Sequence, residues 1–348
     1  MWLSSSSVGR KLVMAFSGAA LLLFVTFHCL LNAIAICWPT TYNSVCLFLG
    51  ANWYALLASI VLCALIVIHI IYACMLTVRN RQARGPVGYS ISKRPASVEW
   101  SSKNMLVLGI VILAFLVVHL IQFWAKMQMA EIGGMEEVIP PSAGTLFIQE
   151  AFGLVWTPIV YIIGFVALWF HMNHGFWSMF HSTGWDNQTW LPRLKKIGCW
   201  WTTIVVGLFI AQAIVFTVHA ANKYYITNPE LQAQYSETLD ELAEKNGTEF
   251  QDELSLFISE LQRTMTAGNM EATHNKEREF LEKTAVPFLL KSQIILKAYE
   301  TQCPDVMSMQ EQQLRKLYTD YIGLCTSPMY NITLPEELRS DAPTINQM

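Results

Sequence analysis

The chain has 348 residues, 53% of them hydrophobic and only 14% charged, with a formal net charge of −3. That balance excludes an ordinary soluble protein and gives no basic excess for nucleic acid. Apolar runs near 20 residues match the roughly 30 Å of bilayer hydrocarbon at about 1.5 Å per helical residue, so the chain reads as an all-α polytopic membrane protein.

Five spans are expected, at 12–36, 54–78, 104–125, 152–180 and 199–222, each nearly free of charge and bounded by Arg, Lys, Trp or Pro. The first follows Arg10-Lys11; it superficially resembles a secretory leader, but its apolar run is too long for one and it holds His28. The connection 37–53 is uncharged. The second span holds His69 and leads to a basic connection with Arg79, Arg81, Arg84, Lys93, Arg94 and Lys103. The third holds His119, and the connection after it sets Lys126 against Glu131, Glu136, Glu137 and Glu150. The fourth holds His171 and His174, with Arg193, Lys195 and Lys196 beyond it; the fifth ends near His219. Cations cluster in cytoplasmic loops, which puts the N-terminus inside and everything after the fifth span outside.

Charge divides the chain near Asn228-Pro229. Residues 1–225 hold 13 Lys and Arg against 6 Asp and Glu, whereas 226–348 hold 10 against 20. We therefore expect a membrane domain over 1–225 and an acidic, helical, extracytoplasmic extension over 226–348. Asn228 suits an N-cap and Pro229 a first turn. Apolar positions from Tyr235 to Leu261 recur at helical spacing, and Gly268-Asn269 and Cys303-Pro304 look like breaks, so three or four helices are expected there. The eight cysteines form no CxxCH or CxxC. Cys37 with Cys46, and Cys303 with Cys325, are either disulfides facing an oxidising exterior or free thiols, with equal weight.

The histidines carry the functional signal, because a polar imidazole in a membrane span costs free energy and marks function or an interhelical hydrogen bond. With each span's midpoint as the membrane centre, His28 and His119 lie about 6 Å toward the outside and His69 about 6 Å toward the inside. His171 lies roughly 8 Å and His174 roughly 12 Å toward the inside. Two layers of paired histidines across a four-helix bundle are the requirement for two bis-histidine haems, and without CxxCH they are b-type. Polar packing or a metal transporter are the competing readings. Depth favours His171 as the fourth ligand, whereas Gly175 beside His174 favours His174 by letting a macrocycle approach the backbone.

Particular runs resemble a known family: Gly9-Arg10-Lys11 into Gly18, Phe27-His28 with Asn32, Ile68-His69-Ile70-Ile71 leading to Arg79, Val118-His119-Leu120 with Phe123-Trp124, and His171-Met172-Asn173-His174-Gly175-Phe176-Trp177-Ser178 followed by Phe180, Thr183 and Gly184. Over about residues 8–222 these are similar to the cytochrome b membrane anchor of type B succinate:quinone oxidoreductases and fumarate reductases, of respiratory complex II. The resemblance implies an outer haem on His28 and His119 and an inner haem on His69 and His174. It implies a flavoprotein with FAD and an iron-sulfur protein docked on the cytoplasmic face, a membrane quinone (expected to be menaquinone) as substrate, and a bacterial inner membrane location. A higher oligomer of the complex is compatible with it. No catalytic residue for dicarboxylate chemistry is expected in this chain. A cytochrome b of a formate dehydrogenase or hydrogenase is the alternative. Two departures stand out: no acid lies between Glu150 and Asp186, and Asn52, Trp53 and Tyr54 stand where some members carry a glutamate.

Three lesser site residues complete the expectation. Lys126, seven residues beyond His119, would share its helix face about 10 Å further out and meet haem propionates, unless it is an interfacial lysine that snorkels to water. Trp53 and Trp124 could stack on a quinone, although together with Trp38, Trp156, Trp177 and Trp201 they also read as an aromatic belt.

Overall fold

The computed structural model describes residues 6–50, 52–85, 100–129, 142–185, 187–266, 268, 270–330 and 332–341. Lys93, Arg94, Glu131, Glu136, Glu137, Asp186 and Asn269 lie outside them. The described residues are helical without a strand. They form two compact units that meet in sequence at Lys223 and Tyr224, two residues before the expected boundary.

In the first unit, α1 runs Ser7–Cys37, α2 Pro39–Gly50, α3 Trp53–Arg84, α4 Trp100–His119, α5 Gly144–Phe152, α6 Trp156–Thr183 and α7 Trp190–Ala221. A π-helical segment, Leu120–Met129, continues α4. Five helices, α1, α3, α4 with its π-helical continuation, α6 and α7, are long and apolar enough to cross a membrane. Their ends are set locally. Ser6 caps α1 by accepting from Gly9 N at 2.9 Å, Asn187 accepts from Trp190 N at 2.8 Å at the start of α7, and Gly184 closes α6 with φ 78°, a left-handed turn that glycine adopts without penalty. The helices outrun the apolar stretches because their charged end turns stay helical. The fourth span starts later than expected, since Gly153 to Val155 turn the chain between α5 and α6.

Large apolar side chains such as Phe16, Ile60, Val107 and Ile163 stand exposed on these helices, as on a bundle whose outside faces hydrocarbon. Inside, the helices approach through small residues. A Cβ on Gly164 of α6 would lie 2.5 Å from Phe115 Cγ, and one on Gly198 of α7 2.6 Å from Phe176 Cδ1. Polar ties join the layers: Gln212 Nε2 donates to the Cys29 carbonyl at 2.9 Å and Trp201 Nε1 to Thr26 Oγ1 at 3.1 Å.

Two short helices replace connections that read as loops. Almost every residue of α5 is buried, including Thr145, Phe147 and Ile148. Asn43 of α2 holds its start, accepting from Thr145 N and Oγ1, each at 2.9 Å. Gly144 leaves room for Cys46 and Tyr42, which a methyl group there would strike.

The second unit begins with a single helical turn, Tyr224–Thr227, and the long helix α8, Pro229–Thr266. Asn228 Oδ1 accepts from Glu230 N at 2.9 Å and Leu231 N at 3.2 Å, so the expected N-cap is present. α9 (Met270–Phe280) passes through a π-helical turn into α10 (Val286–Gln302), which stops before Cys303-Pro304; α11 (Met309–Thr326) follows. Their apolar faces share one core in which Phe250 stacks on Phe288 at 4.0 Å and Phe257 on Phe280 at 4.3 Å. Each fully buried Phe or Leu contributes about 1.5–3 kcal/mol.

All eight cysteines are free thiols. Cys303 and Cys325 are fully enclosed in the second core, and burial pushes their pKa up to about 12 and about 11. The thiolate is the nucleophile, so neither should react with iodoacetamide at neutral pH while the unit is folded. Both should be alkylated after denaturation without reductant, as read by peptide mass; labelling only after reduction would show a disulfide.

Candidate functional site

The bundle gathers its histidines into two pairs. In the first, His28 on α1 and His119 at the end of α4 have ring centroids 5.7 Å apart with planes at 80°. In the second, His69 on α3 faces His171 on α6 at 6.2 Å and 62°. Their depth separation can be taken from two helices independently. Ser17, which touches His69, is eleven residues from His28 on α1, about 16 Å along the axis. Tyr161, which touches His119, is ten residues from His171 on α6, about 15 Å. Antiparallel helices thus hold both pairs at one spacing.

The fourth histidine differs from the one the family resemblance favoured. His171 is the ring brought to His69, and its Nδ1 is buried without a hydrogen-bond partner. His174, three residues on, packs edge-on against Trp177 at 4.9 Å, and Lys195 Nζ lies 4.2 Å over that same indole. Open space surrounds Gly175. The close glycine is Gly18, where a Cβ would sit 3.3 Å from His69 Cε1.

Each ring's hydrogen bonds bear on what it can hold. His69 Nδ1 lies 3.1 Å from Ser17 Oγ, and His119 Nδ1 3.2 Å from the Tyr161 hydroxyl; in both, Nε2 is left for another partner. Tyr161 donates to Gln122 Oε1 at 3.1 Å, and Gln122 Nε2 donates to Thr157 Oγ1 at 3.0 Å. At His28 the polarity is reversed: Asn32 Nδ2, one turn along α1, sits 3.1 Å from Nε2 and would have to yield to a metal. Aromatic side chains enclose the first pair, with Phe24, Phe115, Phe123 and Phe209 around the two imidazoles.

Two imidazoles bonded to one metal from opposite sides, at about 2 Å per bond, place their ring centres about 6 Å apart. Both pairs have this spacing. No group of three or more His, Cys, Asp or Glu gathers as a metal site among the described residues, so a metal held by protein alone is not matched. A pair of axial imidazoles fits a metal whose remaining donors come from a macrocycle.

Lys126, Trp53 and Trp124 are not drawn to the histidines. The π-helical segment after His119 turns more widely than an α-helix, so Lys126 does not fall on the helix face of His119 as seven α-helical residues would place it. Its ammonium instead pairs with Glu150. Trp53 is exposed and packs on Tyr54 at 4.4 Å, and Trp124 is partly exposed on the π-helical segment. Ser17, Gln122, Thr157 and Tyr161 carry little signal in the sequence. The available signal was polar side chains inside apolar spans, which is weak because such residues also bond to their own helix backbone.

Compared with known proteins, the chain matches no family model, no curated protein and no solved structure.

Lys126 and Glu150 are both partly exposed, and such pairs contribute little. Lys126→Ala should therefore lower thermal stability by no more than about 1 kcal/mol. A loss several times larger in a melting experiment would mean that this lysine holds a buried anion.

Proposed function

We propose that the chain is a dihaem membrane anchor that passes electrons between a peripheral dehydrogenase and a membrane quinone, as the cytochrome b subunit of a succinate:quinone oxidoreductase or fumarate reductase. The observation carrying this reading is the two imidazole pairs, each at axial-ligand spacing and set about 15 Å apart in a bundle of apolar helices. A b-type haem in each pair would supply one-electron transfer.

The chain's own residues do the holding and insulating. His28 and His119 would ligate one group; His69 and His171 the other, in place of the His69 and His174 pair that the family resemblance implied. The phenyl rings around the first pair exclude water and lower the local dielectric, a lever on potential. α6 carries no acid, so it offers no carboxylate to carry a proton alongside the electron. The dicarboxylate chemistry belongs to partners in this reading: a flavoprotein with FAD and an iron-sulfur protein on the cytoplasmic face, with menaquinone as the membrane substrate. The N-terminus is then cytoplasmic, and the second unit stands outside a bacterial inner membrane.

Reduced-minus-oxidised spectra of the purified chain and its variants test the assignment. His28→Ala and His119→Ala should each remove the same half of the b-type absorbance, and His69→Ala and His171→Ala the other half. His174→Ala should leave both. If His174→Ala removes a haem and His171→Ala spares it, the second pair is misassigned. A wild-type chain without b-type absorbance would end the reading, and copurification with subunits of a formate dehydrogenase or hydrogenase would change the partner.

A further inference from the structure

We infer that Ser17 and Tyr161 are positioning residues, one for each histidine pair, which hold His69 and His119 in the Nδ1-protonated tautomer and so reserve each Nε2 lone pair for iron. This rests on the haem reading above for its redox consequence, but the tautomer itself follows from hydrogen-bond accounting within the chain.

At the second pair, Ser17 Oγ lies 3.1 Å from His69 Nδ1 and 3.2 Å from the Met14 carbonyl. A hydroxyl has one proton and a carbonyl can only accept. Both contacts are hydrogen bonds only when Ser17 donates to Met14 and accepts from His69 Nδ1–H. Ser17 is buried, and Gly18 beside it brings α1 against the same imidazole. The ring is thus fixed in both orientation and tautomer.

The first pair reaches the same end by a different route. Tyr161 lies 3.2 Å from His119 Nδ1 and 3.1 Å from Gln122 Oε1, which only accepts. Its proton therefore goes to Gln122, and its oxygen accepts from His119 Nδ1–H. In the same orientation the Gln122 amide nitrogen donates to Thr157 Oγ1 at 3.0 Å. Thr157 and Tyr161 are one turn apart on α6 and both buried. Gln122 lies three residues beyond His119 in the π-helical segment, a geometry that recurs at functional sites.

A hydrogen bond from Nδ1–H to an oxygen raises the basicity of the imidazole as a ligand. Higher basicity favours ferric over ferrous iron and lowers the potential. Ser17 ends on a backbone carbonyl, whereas Tyr161 ends on a side-chain relay, so the two pairs are tuned by separate groups.

The test uses the full chain with Ser17→Ala and Tyr161→Phe, each a loss of one hydroxyl. In redox titrations followed at the b-type bands, Ser17→Ala should raise the midpoint potential of the component that His69→Ala removes and leave the other in place. Tyr161→Phe should do the converse, raising only the component that His119→Ala removes. Unchanged potentials, or both components moving together in either variant, would overturn the inference. Nitrogen-15 spectra of histidine-labelled wild-type chain purified without haem give a second, variant-independent readout: His69 and His119 should carry their proton on Nδ1. Protons on Nε2 would overturn it. If wild-type protein shows no b-type absorbance, the haem reading fails while the tautomer measurement still decides this inference.

Discussion

An imidazole inside an apolar helix bundle needs a partner for each ring nitrogen, because a polar atom left without one in such surroundings is costly. The first unit meets that requirement at one nitrogen of three of its paired rings. His69 and His119 each meet a hydroxyl at Nδ1 from a neighbouring helix, and His28 meets the Asn32 amide on its own helix. Among the described residues, His171 Nδ1 is a buried ring nitrogen left unmatched, and Nε2 of His69 and of His119 is left for a further partner. The packing follows: Gly18 brings α1 against the His69 ring, Gly164 brings α6 against Phe115 of α4, and the tie between α2 and α5 fixes the start of a buried helix against the bundle.

The same arrangement separates structural from functional burden. Contacts such as Gln212 to Cys29 and Trp201 to Thr26 join helices without touching a histidine. The relay from His119 through Tyr161 and Gln122 to Thr157 ties α4 to α6, and in the proposed function it would also leave His119 Nε2 for iron. In that reading rigid packing would control ligand chemistry, a link that a bundle closed by leucines alone would lack.

The five long helices were legible because apolar length alone identifies a membrane-spanning helix. The alternation of His28, His69 and His119 between two depths was legible too, because rise per residue is constant along a helix. Rotation about the helix axis was not. His171 and His174 differ by about 60° around α6, and which one turns toward His69 depends on how α6 seats on α4 and α7 through Gly164 and Gly198, contacts distant in sequence. Local windows also missed α2 and α5, which are too short for a span signal, and the change to π-helical geometry at Leu120, which removes Lys126 from the face of His119. In the acidic half, by contrast, Asn228-Pro229 and Cys303-Pro304 marked helix limits correctly, since capping and proline effects are local.

In the proposed function each of the two histidine pairs would ligate one b-type haem. The most direct measurement is the haem b content of the purified chain, combined with low-temperature electron paramagnetic resonance of its oxidised form. Two haems per chain, both low-spin with two imidazole ligands, are expected. One haem, none, or a high-spin signal from a site with a single protein ligand would contradict it.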